Sequence, residues 1–370
     1  MRSVFGRLRA LVDLFTPIAL GDLQLANRVV MAPLTRLRAG AEGVPNDLVV
    51  EHYRQRASVG MIITEGVWPN RQSRAYPGQP GIVTDEQVAG WRRVADAVHE
   101  RGGRIVMQLM HAGRVSHPDI TDGLEPEAPS SIAIEGVVRT PNGKSPFPVP
   151  HALGTDELAR VRDEFVQAAR NAIAAGLDGV ELHGANGYLL HEFLSPASNE
   201  RTDSYGGTPE NRARFVVEVV TAVAEAIGAG RVGLRISPMH NIQGVFETDE
   251  ADVLLTYGAL LDQLRPLGLA YLSVLHAEPG CELVQELRTR FGGPLIANSG
   301  FASVTSREEA IALVEEAHAE AVAVGRPVIA NPDLVERWAG GYPENEPQPH
   351  LFYAAGAEGY TDYPTLEQAG

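Results

Sequence analysis

The 370-residue chain is short of cysteine, lysine and long apolar runs, and each shortage excludes something. Its single cysteine, Cys281, rules out an intramolecular disulfide, a cysteine-ligated iron-sulfur cluster and a cysteine-built zinc site. Cys281 reads as a small residue in a helix or loop, and no metal site is expected. Of 31 basic residues only Lys144 is a lysine, inside a Pro/Gly/Ser-rich stretch. A Schiff-base aldolase, which needs a lysine held at a strand end, is thereby excluded. Positive charge is scarce overall: a net charge of -16 repels nucleic-acid phosphates, so no nucleic-acid partner is expected. No apolar run is long enough to cross a bilayer. Arg2, Arg7 and Arg9 interrupt the start of the chain, where a signal peptide would need an unbroken apolar segment. A soluble cytoplasmic protein is the expectation.

With 44% hydrophobic residues there is core enough for one large domain or two smaller ones. Apolar runs with strand character recur at residues 28–32, 61–65, 104–109, 179–182, 232–236, 271–275, 294–297 and 321–324. Helical patterns follow them at 47–58, 85–101, 156–175, 208–227, 249–267, 281–291, 303–316 and 331–338. Eight strand-helix units in series predict an α/β fold, a single closed (β/α)8 barrel, rather than an open doubly wound sheet. Ahead of it, residues 1–14 read as an extension with a short amphipathic helix, and 15–29 as a hairpin turning at Gly21-Asp22. The barrel domain is placed at 15–370. The connection over 111–154 is too long for an ordinary turn and reads as an active-site excursion, a lid or substrate-lining segment.

Barrels of this kind bind phosphate in the loops after the seventh and eighth strands, with backbone N–H groups and a short helix. Here those loops carry Gly300 and Phe301, and Gly325 and Arg326. The two glycines let the backbone approach a ligand, and the guanidinium adds a bidentate cation. Alone, this pattern suits any phosphorylated ligand. The end of the fourth strand gathers His183, Asn186 and Tyr188 on one turn, at the face where a barrel carries its chemistry.

Residues 179–215, GVELHGANGYLLHEFLSPASNERTDSYGGTPENRARF, closely resemble the old yellow enzyme family of flavin-dependent ene-reductases. The family motif H-x-A-[HN]-G-Y-L, then F-L-S-P, then N-x-R-x-D-x-Y-G-G-x-x-E-N-R-x-R-F is met almost residue for residue. A second motif, G-R-x-x-I-A-N-P-D-L, recurs at residues 325–334. The resemblance implies FMN as cofactor, with NADPH or NADH as reductant. It implies flavin contacts from Pro33, Thr35, Gly66, Gln108, Arg235, Gly300, Phe301, Gly325 and Arg326. It makes His183 and Asn186 donors to a substrate carbonyl, Tyr188 the acid that protonates carbon, and Tyr76, Met110 and Tyr353 pocket residues.

The implied activity is hydride transfer from the flavin to the β-carbon of an α,β-unsaturated carbonyl compound, with nitroalkenes or nitroesters as further acceptors. Thr35 stands where the thermophilic-like branch has cysteine, and Met110 where many relatives have tryptophan, so substrate preference is the property least transferred. Two other classes stay open on the residues: a phosphosugar-binding barrel enzyme and a non-enzymatic flavin carrier. Monomer and homodimer are both open.

Overall fold

In the computed structural model, residues 13–369 are described; the extension expected over 1–14 lies outside them except for Asp13 and Leu14. Leu14 is fully buried in the main core. The runs flanking Gly21-Asp22 pair antiparallel as β1 (Ile18–Leu20) and β2 (Leu23–Leu25). This hairpin closes the N-terminal end of the barrel. Leu20, Leu23 and Leu25 pack against Val30, Met61, Val106 and Ile296, and the Asp22 N–H donates to the Gly230 carbonyl, 2.8 Å away.

The eight expected barrel strands form within a residue or two of their predicted limits. The first three are β3 (Val29–Met31), β4 (Met61–Ile63) and β5 (Ile105–Leu109). The excursion follows, with two small pairings: β6 (Glu127–Ala128) with β9 (His151–Ala152), and the hairpin β7 (Val137–Thr140) with β8 (Gly143–Pro146). The barrel resumes with β10 (Gly179–Gly184), β11 (Val232–Ile236), β12 (Tyr271–Leu275), β13 (Leu295–Asn298) and β14 (Ala321–Val324). All eight are parallel, and β14 pairs with β3 to close the ring. Helices cover the outside and side chains fill the inside, which is why these strands read as continuous apolar runs.

Five of the connecting helices start at a residue whose side chain accepts from their free N–H groups. Asn46 caps α1 (Asp47–Gln55), Thr84 caps α2 (Asp85–His99) in a reciprocal box with Gln87, and Gly154 precedes α3 (Thr155–Ala174). The short α4 (Leu189–Leu194) comes straight after Tyr188. Thr208 caps α5 (Pro209–Ile227), Asp249 caps α6 (Glu250–Leu264), Cys281 precedes α7 (Glu282–Phe291), and Ser306 caps α8 (Arg307–Glu315). After β14 the chain forms α9 (Arg326–Ala330), α10 (Leu334–Gly340) and, near its end, α11 (Leu366–Ala369). The helix expected at 331–338 starts later, because Pro332 separates it from α9. Among the described residues no helix is long and apolar enough to cross a membrane.

Three buried arginines tie the C-terminal segment to the barrel through its backbone. Arg36 donates to the carbonyls of Phe352 (3.1 Å) and Gly359 (2.8 Å), and Arg38 to those of Gly356 (3.0 Å) and Leu351 (3.1 Å). Arg56 reaches the Tyr360 carbonyl at 3.3 Å. The Tyr360 ring lies beneath the Arg38 guanidinium, 4.2 Å from its centroid, a favourable cation-aromatic stack.

Candidate active site

Inside the barrel the lower layers are apolar and the upper one is not. Strand pairing sets Gln108 beside Glu181 and His183 beside Arg235, so the period-two alternation brings a polar set to the C-terminal mouth. Arg235 is 2% exposed. It donates to Ser273 Oγ and Asn298 Oδ1, both at 3.2 Å, and its Nε has no protein partner. Burial lowers its pKa against the pull of Glu181 and Tyr271, yet a guanidinium stays charged. Glu181 takes its hydrogen bond from Gln108 Nε2 at 2.8 Å. Burial raises the Glu181 carboxyl pKa, with Arg235 the largest opposing influence.

Beyond β10 the chain makes the turn carrying Asn186 and Tyr188. Asn186 is left-handed, φ +58. Its N–H donates to Ser237 Oγ (2.9 Å) and its carbonyl accepts from Gln243 Nε2 (2.7 Å). The His183 and Tyr188 rings meet edge to face with centroids 5.0 Å apart. Asn186 Oδ1 and His183 Nδ1 are buried without a protein partner, which leaves them free to meet a ligand. Burial, reinforced by the charge of Arg235, holds the His183 pKa well below its usual value, so the ring is neutral at pH 7. The Tyr188 hydroxyl lies 2.9 Å from that of Tyr76. Burial raises its pKa, with hydrogen bonds from Tyr76 and Gln243 acting the other way.

Met110 joins Tyr188, Ala75, Val115 and Ile134 in one buried cluster, with Tyr76 and Phe147 against it. Its sulfur sits 2.6 Å from where a Cβ on Gly66 would be, so any side chain at 66 would force Met110 to shift. Ile134 and Phe147 come from the excursion and carry no sequence signal of their own. Tyr353, 66% exposed, rides the clamped C-terminal segment close enough to influence both Tyr76 and Tyr188 electrostatically.

At the other end, Arg326 hydrogen-bonds the Phe301 carbonyl, joining the loops after β13 and β14. Phe301 is exposed, its ring 5.2 Å from that of His240. A Cβ added at Gly325 would meet nothing closer than Leu34 Cδ2 at 3.5 Å, so the backbone there is open to a ligand. Pro33 and Thr35 are half-buried in the loop after β3, which Glu65 fixes by accepting the Arg36 and Leu37 N–H groups at 3.0 and 3.1 Å. These residues fit FMN: a buried cation with one donor, the Arg235 Nε, still free for the ring, and open backbone with a guanidinium for the phosphate.

A closed parallel barrel with its polar groups gathered at the carboxyl ends of the strands is the architecture of the flavin-dependent barrel oxidoreductases. The chain belongs to one such family, the NADH:flavin oxidoreductase / NADH oxidase family, known as the old yellow enzymes, whose profile matches residues 13–345. It is an oxidoreductase, and FMN is its cofactor. A protein of Leishmania infantum named "Probable flavin mononucleotide-dependent alkene reductase" is 44% identical over 361 residues, covering 95% of this chain and 96% of that one. Morphinone reductase in complex with tetrahydroNAD is 45% identical with a TM-score of 0.89, covering 96% of this chain and 98% of the other. The old yellow enzyme homologue from Zymomonas mobilis is 38% identical with a TM-score of 0.90, covering 96% and 100%.

Proposed function

We propose that the protein is an NAD(P)H-oxidising ene-reductase acting on α,β-unsaturated carbonyl compounds, with nitroalkenes or nitroesters as further acceptors. Two relatives named for alkene and morphinone reduction, one of them bound to tetrahydroNAD, support it. The observation that carries it is the turn where His183 and Asn186 keep unpartnered polar atoms beside the Tyr76-Tyr188 hydroxyl pair. FMN, when bound, supplies the hydride, taken from the nicotinamide and passed to the β-carbon.

A ring N–H of His183 and the Asn186 side-chain NH2 donate to the acceptor's carbonyl oxygen as charge develops there, and such a donor is worth about 2.7–4 kcal/mol in the transition state. Tyr188, protonated at neutral pH, delivers the proton to the α-carbon. Arg235 supplies a fixed positive charge for the negative charge that reduction leaves on the cofactor. Pro33, Thr35, Gly66 and Gln108 hold the ring; Gly300, Phe301, Gly325 and Arg326 hold the phosphate end. Tyr76, Met110 and Tyr353 shape the acceptor pocket, with the excursion over 111–154 lining one side. Purified protein should be yellow, bleach anaerobically with NADPH or NADH, and regain its colour on adding cyclohexenone. Bleaching without recovery would instead mark a flavin carrier or a different acceptor.

A further inference from the structure

The loop between β11 and α6, residues 237–249, holds the Asn186-Gly187-Tyr188 turn at three points. Two are the direct contacts of Ser237 and Gln243 to the Asn186 peptide groups. The third runs through His191, a fully buried residue on α4. The Gly187 N–H can only donate, so His191 Nδ1, 3.0 Å away, is the unprotonated ring nitrogen. The ring proton is therefore on Nε2, 3.1 Å from Glu247 Oε1. Glu247 is fixed in turn: the Tyr257 hydroxyl donates to the same oxygen at 2.9 Å, and the Met239 N–H to the other at 2.7 Å. Burial pushes the Glu247 carboxyl up, but His191, the Met239 N–H and Tyr257 outweigh it and keep its pKa below the ordinary value.

We infer that His191 is a positioning residue: held by Glu247 in its Nε2–H tautomer, it fixes the Gly187 peptide and so aims the Asn186 and Tyr188 side chains flanking it. The left-handed Asn186 needs such support, because a non-glycine residue persists there when its surroundings over-determine it. All three restraints act on consecutive peptide groups of one turn. A carboxylate that selects a histidine tautomer and orientation is an established physical device. The consequence for turnover rests on the ene-reductase reading above; the tautomer does not.

Asparagine and glutamine divide the imidazole between them. His191→Asn places an oxygen near Nδ1 and keeps the acceptor for Gly187, whereas His191→Gln places a nitrogen near Nε2 and keeps only the donor to Glu247. Both leave comparable cavities, and thermal melting of the two holoproteins monitors that shared cost. The Gln variant should lose on the order of 10- to 100-fold in kcat/KM for cyclohexenone, mostly in kcat, and at least about fivefold more than the Asn variant. A smaller gap, or the reverse order, overturns the assignment.

A second measurement is independent of turnover and of whether the variants fold. Wild-type holoprotein labelled with 15N-histidine should show a neutral His191 protonated at Nε2. An Nδ1–H or doubly protonated ring at neutral pH overturns the assignment. Should wild-type protein fail to reduce cyclohexenone at all, the functional reading falls while the tautomer result stands.

Discussion

The two ends of the candidate site are built differently. At the donor end His183, Asn186 and Tyr188 are 5%, 7% and 6% exposed, with His183 in strand β10 and the turn at Asn186-Gly187 bonded to Ser237, Gln243 and His191. At the phosphate end Phe301 is 48% exposed, and the Arg326 guanidinium spends itself on a backbone carbonyl. On the proposed function, the protein itself holds the geometry where charge moves. Where it only grips a cofactor, it leaves groups that the ligand must organise. Substitutions at the first end should therefore cost rate, and at the second occupancy.

The largest expected effect is that of Tyr188→Phe. Reoxidation by cyclohexenone should slow by roughly 10² to 10⁴, the usual worth of a positioned acid, while bleaching by the nicotinamide stays within a few-fold. Stopped-flow traces of the two halves decide it, and unchanged reoxidation would mean that another group delivers the proton. In the wild type the acid step should persist to alkaline pH. Burial raises the Tyr188 pKa, so the protonated hydroxyl is present below that raised value and is lost as pH climbs through it.

Asn186→Ala should follow, with a fall of about 10² to 10³ in kcat/KM and full flavin content. A loss confined to flavin content would erase the contrast between the ends. Arg326→Ala should behave in the opposite sense. It removes a charge-assisted contact worth about 1.5–3 kcal/mol, so FMN should dissociate on the order of tenfold or more readily, measured by the flavin-to-protein absorbance ratio after dialysis. Protein that remains fully yellow would show that backbone donors suffice.

Met110→Trp should be the mildest. The thioether is flexible, the indole rigid, and Met110 shares its cluster with Tyr188. The ratio of kcat/KM for a 3-substituted cyclohexenone to that for cyclohexenone itself should fall, by roughly tenfold at most, with the unsubstituted value nearly unmoved. An unchanged ratio would remove Met110 from the pocket.

The barrel was legible because its signals are local. Runs such as residues 232–236 and caps such as Thr84 and Thr208 declare themselves within a few positions. The helix α4 was not, since six residues are too few to set a helical period and its polar pair, His191 and Glu192, is buried with the rest. The hairpin β7-β8 escaped notice although Asn142-Gly143 offers a turn signal, lost among the prolines and serines around it. Of the candidate site, His183, Asn186 and Tyr188 were legible through the motif around them. Ser237, Gln243 and Glu247 were not, because their partners lie 51 to 57 residues away and meet them when the barrel closes.

The arginine clamp on the C-terminal segment has a consequence for evolution. Arg36, Arg38 and Arg56 grip carbonyl oxygens, which every residue possesses whatever its side chain. The anchoring is thus indifferent to most of the sequence it anchors. Phe352 packs against Ile329 and Tyr363, and Gly356 is left-handed at φ +84, but the exposed Tyr353, Ala355, Ala357 and Glu358 can be exchanged without loosening the attachment, so these positions are free to drift, or be randomised, toward new acceptors while the barrel beneath stays as it is.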